Sequence, residues 1–154
     1  MAPQQPRRDP FDIKPFGAVS QALGRVARLH RASAGELLKS TGLYPGQELL
    51  MMHLWEMGSV RQADLIDALG VDPSTITKML QRLERTGNVT RTTVPTDRRA
   101  VLVEATETSN ALGPKIEAAW KTLEQRTVAA LDPAERTELL RLLEKVAANF
   151  SDET

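Results

Sequence analysis

Val71-Asp72-Pro73-Ser74-Thr75-Ile76-Thr77-Lys78-Met79-Leu80-Gln81-Arg82-Leu83-Glu84-Arg85-Thr86-Gly87 is the stretch on which the fold turns. Asp72 is an N-cap residue, Pro73 suits the first helical position, where a missing N–H leaves nothing unpaired, and Val71 is placed to staple onto Ile76. Ile76, Met79, Leu80 and Leu83 recur at helical spacing and form one apolar stripe. That stripe turns Ser74, Thr75, Thr77, Lys78, Gln81, Arg82 and Arg85 toward the remaining faces, and Gly87 closes the helix.

Upstream, Gln62 to Leu69 reads as a short helix that buries Leu65, Ile66 and Leu69. Gly70 stops it as a C-cap, so only three residues separate the two helices. Downstream the apolar period falls from 3.6 to 2 in Val89 to Val94 and again in Ala100 to Glu104. The two runs are divided by Pro95-Thr96-Asp97-Arg98-Arg99, which predicts a β-hairpin with a charged tip.

Farther out, Val19, Leu23, Val26, His30, Ser33 and Leu37 alternate spacings of four and three. This predicts a long helix from near Phe16 to near Ser40 with one buried seam. Pro45 is expected to open a second helix carrying Leu50, His53, Leu54 and Met57 on one face and ending at Gly58. Thr106 can cap a fifth helix with Ile116, Ala119, Trp120, Leu123, Thr127 and Ala130 on one side. Gly113-Pro114 lies inside it and predicts a kink or a late start. Asp132-Pro133-Ala134-Glu135 begins a last helix expected to bury Leu139, Leu142, Leu143, Val146 and Phe150. Pro3, Pro6, Pro10 and Pro15 make residues 1–17 an arm expected to be extended or disordered.

Composition narrows the class. The chain has 154 residues, 41% hydrophobic and 26% charged, enough to bury one domain's core and unlike a disordered or fibrous sequence. No apolar run is long enough to span a membrane, and no apolar stretch follows Arg7 and Arg8, so neither a membrane partner nor a secretory signal is expected. The absence of cysteine excludes a disulfide scaffold, a thiolate zinc site and a thiol redox sensor, and fits a cytoplasmic chain. The net charge of zero conceals an uneven distribution: between residues 73 and 103, Lys78, Arg82, Arg85, Arg91, Arg98 and Arg99 face only Glu84 and Asp97. Such a block is a candidate polyanion contact, although on charge alone an ordinary solvated face is the simpler explanation.

Taken in order, these elements describe a mostly α chain with a small β-hairpin wing: a winged helix-turn-helix joined to outer helices. The helix that Pro73 opens and Gly87 closes is narrow enough for a major groove about 12 Å wide, and a hairpin tipped by arginines suits a narrow minor groove of negative potential. The chain resembles the MarR (multiple-antibiotic-resistance regulator) family from about Ala18 to Phe150. The resemblance rests on Gln62-Ala63-Asp64-Leu65, on Leu69-Gly70-Val71-Asp72-Pro73-Ser74-Thr75-Ile76-Thr77, on Leu83-Glu84-Arg85-Thr86-Gly87 and above all on Pro95-Thr96-Asp97-Arg98-Arg99-Ala100. It implies contact with double-stranded DNA by Ser74, Thr75, Thr77, Lys78 and Arg82 from the recognition helix and by Arg99 from the wing, with Asp97 orienting the wing arginine; the hairpin context makes Arg98 a DNA contact as well. It also implies a homodimer whose first, fifth and sixth helices interlock. The domains would then be a DNA-binding unit at 45–104 and a discontinuous dimerisation region at 18–44 and 105–154. Three long striped helices support the dimer independently, since their stripes need something to meet. Two-fold symmetry would set the recognition helices about 34 Å apart on a pseudo-palindrome.

Three positions depart from the family pattern. Arg61 stands where a Ser or Thr cap is usual, giving up a cap worth about 1 kcal/mol while offering a cation to phosphate. Gln81 replaces an acid that in some members pairs with the wing arginine. Ala105-Thr106, with Gly113-Pro114 behind it, replaces an unbroken helix. In the resembling family small aromatic or phenolic effectors bind between dimer helices and winged domain, which makes His30 and Trp55 candidate effector contacts. Read from the residues alone, His30 and His53 are hydrogen-bonded helix histidines, and Trp55 and Trp120 are core residues. Two histidines without cysteine are a poor metal set, and no cofactor or metal is expected.

The sequence thus predicts a dimeric transcriptional regulator, a repressor released from its operator by an effector. The alternatives are a winged-helix module docking an acidic protein, and a small-molecule binder or enzyme using the interhelical crevice. The Asp97-Arg98-Arg99 tip favours DNA. His-Glu-x-x-His, Gly-x-Ser-x-Gly and Gly-x-Gly-x-x-Gly are all missing, and Gly35 to Ser40 echoes a phosphate loop without its glycine before the lysine.

Overall fold

The computed structural model describes residues 17–151, so the arm expected at 1–17 lies outside the described residues except for Gly17. Eleven elements follow: α1 (Ala18–Leu38), a 3-10 turn (Lys39–Thr41), α2 (Gln47–Met57), β1 (Val60–Arg61), α3 (Gln62–Leu69), α4 (Pro73–Arg85), β2 (Val89–Val94), β3 (Asp97–Ala105), a second 3-10 turn (Glu107–Leu112), α5 (Gly113–Thr127) and α6 (Pro133–Ser151). The strands form one antiparallel sheet in the order β1-β3-β2.

The core lies between α2, α3, α4 and the sheet. Leu50, Met51, Leu54, Leu65, Ile76, Leu80, Leu83, Val89 and Val103 are buried there, and Leu38, Ile116 and Ala119 join it from α1 and α5. Each fully buried Leu or Ile contributes about 1.5–3 kcal/mol, so the stripe on α4 holds that helix firmly while its polar face stays outside. Gly70 has φ 61° and donates to the Ile66 carbonyl at 3.1 Å. This left-handed cap turns α3 into α4 within three residues, a geometry that would strain any L side chain.

The wing differs from expectation in two ways. Pro95-Thr96 alone form the turn, and Asp97, Arg98 and Arg99 belong to β3 instead of to a five-residue tip. Proline cannot take the positive φ of the primed hairpin turns, so the strands leave the turn mismatched. Val94 pairs with Asp97, the next pair is Thr93 with Val101, and Arg98, Arg99 and Ala100 bulge from the ladder. Strand β1, absent from the sequence reading, is only two residues long: Val60 pairs with Val103 and Arg61 with Leu102. Two residues carry too little periodicity to register.

The remaining helices need three corrections. Helix α2 begins at Gln47, because Gly46 has φ 99° and breaks the chain direction after Pro45. Of its predicted face, Leu50 and Leu54 are buried, His53 is half-buried and Met57 is exposed. The seam of α1 is not buried within the chain, since Val19, Leu23 and Val26 are exposed. Helix α6 buries none of its residues, and its Phe150 is 70% exposed. Leu139, Leu142 and Leu143 are also exposed and Val146 only half-buried. Periodicity reports that a stripe seeks cover, not which chain supplies it. By contrast the late start before α5 is observed: Thr106 Oγ1 accepts from Ser109 N at 3.3 Å and caps the 3-10 turn, and the α-helix begins only at Gly113. The start of α6 is a full capping box, with Asp132 accepting from Ala134 N and Glu135 N, and Glu135 from Asp132 N at 2.9 Å.

Candidate nucleic-acid interface

The start of α4 fixes the outward residues. Asp72 Oδ1 accepts from Thr75 N at 2.9 Å and from Ser74 Oγ, while Oδ2 accepts from Thr75 Oγ1. Those hydroxyls and the Thr75 N–H favour the charged form and hold the Asp72 carboxyl well below the usual carboxylate range. A lowered pKa means the stabilisation is complete above the ordinary value near ~3.9 and is lost as pH falls through the lowered one. Asp72→Ala should therefore melt below wild type at neutral pH, the gap narrowing in strong acid. A gap that ignores pH would exclude the carboxylate as its cause. With their protons turned to Asp72, the Ser74 and Thr75 hydroxyls are left as acceptors, suited to the amino groups of cytosine or adenine rather than to phosphate.

Thr77 Oγ1 donates to the Pro73 carbonyl at 2.9 Å and accepts from Gln62 Nε2 at 3.3 Å, tying the first turn of α3 to α4. Lys78 is exposed and belongs to none of the ion pairs among the described residues. Arg82 is half-buried, its guanidinium 3.6 Å from the centroid of the Tyr44 ring. Arg91, counted in the basic block, is paired with Glu84 at 2.6 Å and is thereby withdrawn from it.

On the wing, Asp97 Oδ1 accepts from the backbone N–H of Arg99 at 3.0 Å. The acid thus orients the arginine through its main chain and leaves the guanidinium unengaged. Arg98 and Arg99 are both exposed. Arg99 shares a cleft of about 390 Å³ with Asp97, Ala100 and Val101 on the wing side and Arg61, Gln62 and Ile66 on the α3 side. Gln62 links this cleft to Thr77, so the wing arginine, Arg61, α3 and α4 form one continuous surface. Arg61 makes no side-chain cap, as its chemistry requires. Its position across from Arg99 follows from its place in β1, the strand that periodicity could not reveal, where it pairs with Leu102 of β3.

The two candidate effector residues do not meet. His30 lines a cleft of about 340 Å³ with Val26, Leu29, Ser33, Leu123 and Arg126, where Arg126 Nη1 donates to Ser33 Oγ at 3.3 Å. Trp55 lines a separate cleft of about 410 Å³ beside Glu104 and Glu107. Its indole donates to Ser109 Oγ at 3.1 Å, and both Trp55 and Trp120 pack against the core. Among the described residues no cluster of His, Asp and Glu stands close enough to hold a metal ion, and no helix is long and apolar enough to cross a membrane.

The assembled surface is a helix exposing hydroxyls and a lysine, flanked by a two-stranded wing with two exposed arginines, which matches the width and charge of a DNA groove. Known proteins share the sequence pattern and the fold of this chain. The MarR family model matches residues 43–101. The chain is 29% identical over 144 residues to the HTH-type transcriptional repressor NicR of Pseudomonas putida, covering 92% of this chain and 91% of that one. It is 31% identical over 129 residues to a Thauera aromatica protein named for transcriptional regulation of the hcr operon, covering 84% and 77%. Among solved structures, a mutant MarR from E. coli complexed with operator DNA superposes with a TM-score of 0.76 at 26% identity, over 83% of this chain and 92% of that one. BpsR of Bordetella bronchiseptica, whose DNA binding is regulated by 6-hydroxynicotinic acid, superposes with a TM-score of 0.76 at 26% identity, over 86% and 97%.

Proposed function

The chain belongs to the MarR family and is a DNA-binding transcriptional regulator, not an enzyme, and from that premise we propose that it represses a pseudo-palindromic operator which it releases on binding a small aromatic acid. It acts on double-stranded DNA as a homodimer, with the winged unit at 45–104 and the dimerisation region at 18–44 and 105–154. Work on an operator implies the cytoplasm. The observation carrying this reading is the continuous surface that joins Thr77 of α4, through Gln62, to Arg61 and Arg99. Ser74, Thr75 and Thr77 approach base edges, Lys78 and Arg82 meet the backbone, and Arg98 and Arg99 enter the minor groove, with Asp97 fixing the wing.

Fluorescence anisotropy with the intergenic DNA beside the chain's own gene, over a salt series and with excess nonspecific competitor, tests the reading. Competitor-resistant binding is expected; binding no tighter than to random duplex at every bound region of the genome would refute it. Lys78→Ala should weaken binding to all sequences and lower the salt slope by about one per half-site. A loss confined to one base position would make Lys78 a base reader instead.

The effector follows from the His30 cleft. Apolar walls from Val26, Leu29 and Leu123 around His30 and Arg126 suit an aromatic carboxylate, whereas Glu104 and Glu107 make the Trp55 cleft repel one. The regulation of BpsR by 6-hydroxynicotinic acid supplies a first probe of that class. Arg126→Ala should retain operator binding and require at least tenfold more acid for release, a shift of about 1.4 kcal/mol. Unchanged release would place the effector elsewhere. Coupling requires that acid and operator prefer different spacings of the two winged units.

A further inference from the structure

We propose that Tyr44 is a positioning residue of the DNA-binding surface, holding the Arg82 guanidinium by its aromatic face so that the edge N–H groups are presented to a phosphate. The inference rests on the reading of α4 as the groove-facing helix and adds a residue outside the winged core to its machinery. The guanidinium carbon stands 3.6 Å from the ring centroid, and the Tyr44 side is more than half exposed, so the pair sits at the surface. Arg82 follows Lys78 by four residues and shares its side of the helix. A guanidinium stacked by its face keeps its in-plane donors free, unlike one locked to a carboxylate. None of the ion pairs among the described residues involves Arg82.

The platform beneath the arginine is rigid. Tyr44 N donates to Gln47 Oε1 at 2.9 Å and Gln47 N donates back to the Tyr44 carbonyl at 3.0 Å. Gly46 N donates to Glu48 Oε2 at 2.7 Å, and both Gln47 and Glu48 are buried. Burial pushes the Glu48 carboxyl up, against the hydrogen bonds from the Glu48 and Gly46 N–H groups and the charge of Arg31. Gly46 sits at φ 99°, and a Cβ there would lie 3.1 Å from Met79 Cε. Met79 and Arg82 are three residues apart on α4, so the turn at 43–46 rests on α4 at two adjacent points. On its other side the turn continues from α1, where Thr41 Oγ1 accepts from Leu43 N at 3.1 Å and donates to the Leu38 carbonyl at 2.6 Å. The ring that sets Arg82 is thereby anchored at the end of the first long helix.

The test compares full-length wild type, Tyr44→Ala, Tyr44→Leu, Tyr44→Phe, Arg82→Ala and Tyr44→Ala/Arg82→Ala by anisotropy on a fluorescein-labelled duplex of the intergenic DNA, over a salt series, with melting of each variant alongside. Two stacked pairs per dimer predict about a tenfold loss for Tyr44→Ala and Tyr44→Leu, and near-wild-type binding for Tyr44→Phe, which keeps the ring. In the Arg82→Ala background, removing Tyr44 should cost nothing further. Tyr44→Leu retains apolar bulk, so a loss there at unchanged melting temperature separates positioning from folding. Arg82→Ala weakening binding while Tyr44→Ala does not, or the two losses simply adding, overturns the inference and leaves the DNA surface intact. Should Lys78→Ala, Arg82→Ala and Arg99→Ala all bind as wild type, the surface itself is misassigned and the inference falls with it.

Discussion

Arg99→Ala is expected to weaken operator binding about a hundredfold while leaving the dimer and its melting temperature unchanged. The side chain is exposed and in no ion pair among the described residues, and no other element rests on it, so the folded state loses little with it. The Asp97 bond engages its backbone, which alanine retains. A charge-assisted hydrogen bond is worth about 1.5–3 kcal/mol, and in a symmetric complex the substitution is made on both wings. Two losses near the lower bound amount to about 3 kcal/mol, or roughly a hundredfold. Arg99→Lys keeps the charge but not the planar fork, and should recover part of the affinity if the wing reads a narrow groove by potential. Asp97→Ala should give a smaller loss, since it releases the bulge without removing a cation. Wild-type affinity for Arg99→Ala on an operator still sensitive to Lys78→Ala would remove the wing from recognition and leave α4 to act alone.

Why the middle of this chain could be read and its edges could not is a matter of where each signal is closed. The cap at Asp72, the turn at Gly70 and the stripe Ile76-Leu80-Leu83 are local: each is satisfied within a few residues, and the observed α3 and α4 match the sequence boundaries. The late start at Gly113 was legible for the same reason, because the proline acts on its own preceding turn. Strand β1 depends on pairing with a segment forty residues away, and Arg61 gains its place opposite Arg99 only through that pairing. The stack of Arg82 on Tyr44 joins a turn to a helix face, and an exposed aromatic between Gly42 and Gly46 was its one available hint. The family resemblance pairs His30 and Trp55 as effector contacts, but α1 carries one into a cationic cleft while the other lies beside two acids. The stripe on α6 was real, and its destination was not within the chain.

That destination gives the largest effect: Leu143→Glu/Phe150→Glu is expected to yield a monomer with no measurable operator-specific binding. The two residues are seven apart on one face of α6, both exposed in the single chain, and α6 packs broadly on no other described element. Leu139, Leu140 and Leu142 extend the apolar face, and Val19 and Leu23 leave a second one on α1. So large an exposed apolar surface is the mark of a permanent interface, and the partner that two-fold symmetry supplies is the same pair of helices from a second copy. Burying a carboxylate at two points of that seam has no compensating partner, so dissociation is the outcome rather than adjustment. Because the core around Leu50, Leu65 and Leu80 does not rest on α6, the monomer should keep its winged unit folded. One half-site then contributes alone, and affinity should fall by about a thousandfold or more, to the nonspecific range near ~10⁻⁴–10⁻⁶ M. Sedimentation equilibrium reads the dissociation, and anisotropy against operator and random duplex reads the loss of discrimination. Wild-type melting should rise with protein concentration, and that dependence should vanish in the variant. A variant that stays dimeric and still selects its operator would show that α6 covers something other than its own copy, and the spacing of the recognition helices would then have to be set by α1 and α5.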